Sequence, residues 1–196
     1  MRRGRSVAVL AMLLAGALGV ISSTQTWMDV VLADGAQQSL SVPGSDALPV
    51  LTPLSLAALA LGAALSIVGP VLRYVFGVLG LAIAAIVGVS TAQIVITAPV
   101  SATAATVTEA TGISGLDAVA DLVADISLTP WPALTLVVQV LLAVAAVFTL
   151  VTARRWRSGA GRKYRTETAT AADGTSRPHD AIDSWDDLSR GDDPTA

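Results

Sequence analysis

Four long uncharged stretches, separated by charges of alternating sign, constrain this chain more than any other feature. A bilayer core about 30 Å thick is crossed by roughly 20 mostly apolar helical residues. Residues 6–22, 50–72, 75–98 and 132–152 meet or approach that requirement and predict four transmembrane helices. Composition agrees, with 53% hydrophobic and only 14% charged residues, against roughly 25% charged in soluble domains. Mean hydropathy is +0.67. Aromatics are only 4%, so the apolar excess is aliphatic, which suits helices that approach closely in lipid.

The charges orient the spans. Arg2, Arg3 and Arg5 precede the first, Arg73 separates the second from the third, and the other Lys and Arg residues all follow the fourth. The remaining connections, 23–49 and 99–131, contain no Lys or Arg. They hold Asp29, Asp34, Asp46, Glu109, Asp117, Asp121 and Asp125. With four crossings every basic residue falls on one side, and the positive-inside rule makes that side cytoplasmic. The expectation is an all-α protein of the plasma membrane, with both termini in the cytoplasm and a turn at Arg73. Trp27, Trp131, Trp156 and Tyr74 lie near the expected span ends, as an interfacial aromatic belt requires. The basic start also fits a signal peptide, with Ala15-Gly16-Ala17 as a cleavage site. The apolar run continues through Leu18-Gly19-Val20-Ile21, which favours a retained first span.

Helices in lipid gain no hydrophobic reward for meeting, so small residues at four-residue spacing are informative. The third span carries Gly80, Ala84, Gly88 and Ala92; shorter stripes are Ala58, Gly62, Ser66 and Ala11, Ala15, Gly19. An alanine-rich chain also produces the shorter stripes by chance, whereas the longer one predicts an interface. Gln93 and Gln139 lie at similar depth and are candidates for an intramembrane polar contact. Such a bond contributes only ~0.6 kcal/mol on average, and packing glue is its ordinary use; a small-ligand contact is the functional alternative. No ionisable residue falls inside an expected span, which argues against ion-coupled transport within one copy.

From Ser114 the chain reads SGLDAVADLVADISL. Leu116, Val119, Leu122, Val123 and Ile126 recur at helical spacing, opposite Asp117, Asp121 and Asp125. Ser114 with Asp117 resembles a capping box. The expectation is a short amphipathic outer helix whose acidic row is a solvated face, because hard cations want converging oxygens.

Residues 1–152 thus form the expected four-helix domain and 153–196 a cytoplasmic tail, basic then acidic. Its middle, 166–178, is rich in Thr, Ala and Gly and predicts disorder. The basic part suits anionic lipid, at about 1 kcal/mol per charge, rather than nucleic acid. Ile182, Trp185 and Leu188 return at three-residue steps and are candidates for docking a cytoplasmic protein. His179 supports no catalytic role, and Gly161 to Lys163 lacks the strand and helix of a phosphate loop. There are no cysteines, hence no disulfides or thiolate sites. No nucleophile constellation or metal-ligand cluster stands out, so no enzyme, metal or cofactor is expected.

The Thr26-Trp27 exit, Thr129-Pro130-Trp131-Pro132 before the last span, Arg154-Arg155-Trp156 and the tail WDDLSRGDDPT carry a resemblance over nearly the whole chain. The chain resembles the actinobacterial tryptophan-associated membrane protein family, small four-span proteins encoded among tryptophan-biosynthesis genes. It departs from that pattern at Arg157, where Pro is expected. The resemblance implies a pathway association and no established activity. Two roles follow as expectations: an interaction protein working through its tail, or a small, oligomeric transporter or transporter subunit for tryptophan or a precursor.

Overall fold

A computed structural model describes residues 2–33 and 39–153. Helix α1 (Arg2–Ser23) leads into strands β1 (Thr26–Leu32) and β2 (Ser39–Pro43), then the single turn α2 (Gly44–Ala47). Helices α3 (Leu51–Leu65) and α4 (Pro70–Thr97) follow. A 3-10 turn (Val100–Ala102), α5 (Ala104–Thr111), α6 (Leu116–Leu122) and β3 (Val123–Leu128) then lead into α7 (Trp131–Thr152).

Helices α1, α3, α4 and α7 pack as a bundle in which α1 meets α3 and α7, and α4 meets α7 and α3. Their buried residues share one period. On α4 they include Arg73, Gly77, Gly80, Ala84, Val87, Thr91 and Ile94; on α7, Pro132, Thr135, Gln139, Leu142, Ala146 and Thr149. On α3 they are Leu51, Ser55, Ala58, Gly62 and Leu65. These alternating steps of three and four make a 3.5-residue repeat, the seam of left-handed, coiled-coil-like packing. The four-residue stripe expected on α4 therefore holds at Gly80 and Ala84, after which the seam steps to Val87 and Thr91.

Close approach explains the small residues. A Cβ added to Gly16 would lie 2.7 Å from the Leu59 backbone nitrogen and 2.9 Å from the Ser55 carbonyl oxygen. One added to Gly77 would lie 2.7 Å from a Leu150 methyl carbon. Bulky aliphatics point the other way: Val71, Val78, Val89 and Ile96 of α4 and Val137, Val140, Val144 and Val151 of α7 are all exposed. Small inside and large outside is the arrangement expected of helices solvated by lipid chains. Three helical segments, Gly4–Ser23, Pro70–Thr97 and Trp131–Thr152, are long and apolar enough to cross a membrane.

The boundary between the second and third expected spans moves. The turn occupies residues 66–69, not the surroundings of Arg73. Ser66 Oγ donates to the Ala63 carbonyl, and Ile67 and Val68 N–H bond back to Ala64. Gly69 is extended (ψ 175°) and Pro70 opens α4, where its fixed φ suits a first helical position. Arg73 thus lies in the first turn of α4 and is buried, and α3 has 15 residues, roughly 22 Å of helix.

A small sheet amends the all-α expectation. Its order is β2-β1-β3, with both pairings antiparallel. Met28 pairs with Val42 and Leu128, and Val30 with Leu40 and Ile126. Met28, Val30 and Val42 belong to the core, together with Val107 of α5 and Val119 of α6. Asp29 alternates outward, where Ser41 Oγ donates to its carboxylate at 3.2 Å.

This sheet also shortens the expected outer helix. Helix α6 stops at Leu122, and 123–128 becomes the third strand, so Val123 and Ile126 pair across to Leu32 and Val30. A lone amphipathic turn gains less from helix propagation than from completing β1's second ladder. Gly115, not Ser114, precedes the helix and gives no side-chain cap. The acidic row is split: Asp117 and Asp121 stay in α6, while Asp125 lies opposite Val31.

Candidate functional site

Four buried polar residues, Ser22, Thr91, Thr135 and Gln139, lie on α1, α4 and α7 in the halves of those helices that adjoin the sheet and its connections. Trp27, just beyond α1, is fully buried and therefore not a belt residue. Its indole N–H is shared between the Ser22 carbonyl oxygen (3.0 Å) and Ser22 Oγ (3.1 Å). Ser22 Oγ lies 2.6 Å from Thr135 Oγ1, and Thr135 Oγ1 donates to the Trp131 carbonyl at 2.9 Å. Since the Thr135 proton is committed to Trp131, the Ser22 hydroxyl donates to Thr135 and accepts from Trp27. The chain of bonds has one direction and every donor is used.

Neighbouring backbone bonds fix that node. Thr129 N–H donates to the Trp27 carbonyl at 2.9 Å, and Thr129 Oγ1 donates to that of Thr26 at 2.6 Å. Gly44 lies against the indole so closely that an added Cβ would stand 2.6 Å from Trp27 Nε1. The node thereby joins α1, the sheet, α2 and the start of α7.

One turn deeper on α7 lies Gln139, 5% exposed, with Thr91 of α4, 0% exposed. Gly88, one turn before Thr91, faces Gln139: an added Cβ there would be 3.6 Å from Gln139 Cβ. Thr91 Oγ1 and Gln139 Oε1 are both buried without a hydrogen-bond partner. Gln93 is exposed, and no hydrogen bond joins it to Gln139. At 100° per residue, positions 91 and 93 point about 200° apart, so the seam that buries Thr91 turns Gln93 outward. The sequence signal for Thr91 was present as the 3.5-residue continuation of Gly77, Gly80 and Ala84. Ile182, Trp185 and Leu188 lie outside the described residues.

A family model described as a tryptophan-associated transmembrane protein matches residues 9–195. The chain belongs to that family. No curated protein and no solved structure matches it. Membership agrees with the bilayer-suited surface, and the match includes the tail as well as the bundle.

Proposed function

We propose that this member of the family is an accessory protein of the plasma membrane, without enzymatic activity, that displays its C-terminal tail to a cytoplasmic partner. Four helices cross, α3 being the shortest, and both termini lie in the cytoplasm with the basic residues. The observation that carries this reading is the tightness of the bundle. At Gly16 the Leu59 and Ser55 backbone, and at Gly77 the Leu150 side chain, leave no room for a Cβ, which suits an anchor better than a conduit. Ile182, Trp185 and Leu188 supply the apolar docking face, and the partner is a protein of the tryptophan pathway. Deleting residues 180–195 is expected to abolish recovery of the partner while membrane insertion stays intact. Unchanged recovery refutes it.

A second reading, an oligomeric transporter subunit for tryptophan or a precursor, is favoured by the unpaired Thr91 and Gln139 oxygens, since polar groups held in a membrane often mark substrate paths. It predicts altered flux of labelled tryptophan on deletion of the gene and sensitivity to Gln139→Leu. Unchanged flux in both directions eliminates it.

A further inference from the structure

Thr135 of the saturated node and Gln139 of the unsaturated pair share one face of α7, yet only the node accounts for all its hydrogen bonds. A buried polar atom without a partner costs free energy comparable to a lost hydrogen bond, and an unseen water is a usual explanation. Thr91 is six residues from the end of α4 and Gln139 eight from the start of α7, roughly 9 and 12 Å along their helices. That depth lies within the apolar part of the bundle, where lipid offers no substitute donor.

We propose that the α4–α7 seam holds one internal water, bound between Thr91 Oγ1 and Gln139 Oε1. The two groups are complementary toward such a guest. Water accepts a hydrogen bond from the Thr91 hydroxyl and donates one to the Gln139 carbonyl oxygen, and Thr135 Oγ1, one turn away on α7, keeps a lone pair for its second O–H. Gly88 gives the clearance, presenting no side chain beside Gln139. The site extends the polar chain that begins at the Trp27 indole and makes it continuous from the sheet into the seam. It is independent of the docking and transport readings, because a resident water suits an anchor as well as a carrier.

The test is solid-state NMR of the full chain in vesicles of phosphatidylethanolamine and phosphatidylglycerol, with 15N-labelled glutamine. A cross-peak from slowly exchanging water to the Gln139 amide is expected, assigned by its absence in Gln139→Leu. Thr91→Val should lose it and Thr91→Ser keep it. Absence of the peak in the wild type overturns the proposal, as does its persistence in Thr91→Val. A direct Thr91–Gln139 hydrogen bond would overturn it too. A wild-type spectrum without any such peak refutes the site even if a variant fails to fold.

Discussion

Gly16→Ala is the smallest change that attacks the α1–α3 seam. The added Cβ would meet the Leu59 backbone nitrogen and Leu59 Cγ at 2.7 Å and the Ser55 carbonyl oxygen at 2.9 Å. Ordinary contact begins near 3.4 Å, so the helices must part by ~0.7 Å, and backbone atoms cannot turn aside as a side-chain end can. A gap of that size forfeits a quarter to a half of each dispersion contact along the seam. It propagates to Gly19, which faces Ser55, and Gly62, which faces Met12 and Leu13. Overpacking of this kind costs about 1–3 kcal/mol, and alanine's better helix propensity returns at most about 1 kcal/mol. Net destabilisation of about 1–2 kcal/mol is expected by SDS titration in mixed micelles, read by tryptophan fluorescence. Gly69→Ala is the control, because nothing lies within 4 Å of its added Cβ. If Gly16→Ala matches the wild type, α1 and α3 do not touch as described.

Trp27→Phe removes the indole donor to Ser22, and a loss of about 1–3 kcal/mol follows from the unpaired acceptors, measured in the same titration. Thr135→Val leaves the Ser22 hydroxyl without its acceptor and should cost about 1 kcal/mol. The two changes break one directed chain, so the double variant should be less destabilised than their sum, by at least 0.5 kcal/mol on the general scale for coupled neighbours; strict additivity contradicts the chain. Gly44→Ala drives a Cβ into Trp27 Nε1 and should blue-shift or broaden tryptophan emission without dissociating the protein from membranes.

The bundle was legible because lipid imposes one strong rule: long uncharged runs must be helical. Its finer geometry was less so. Spacing by four and spacing by 3.5 agree over one step, from Gly80 to Ala84, and part company at Val87 and Gly88. That divergence turns Gln93 outward and brings Thr91 in. The turn at 66–69 is marked by Gly69-Pro70, whereas Arg73 points to a later turn because charge is expected at a membrane surface. The sheet left the faintest trace. Residues 26–32 and 39–43 are short, and β3 follows a helical pattern that runs on through Ile126. Only pairing with β1, nearly a hundred residues earlier, decides its conformation, and no local signal carries that information.

Four crossings with both ends on one side can be tested directly, because the chain has no cysteine of its own. Single substitutions Ser41→Cys in the sheet, Ile67→Cys in the α3–α4 turn, where the native side chain is 88% exposed, and Ser189→Cys in the tail would be offered to a membrane-impermeant maleimide on intact cells. Cys at 41 is expected to react at once, and Cys at 67 and 189 only after permeabilisation. Labelling at 67 from outside would mean that α3 does not cross, and would contradict the account.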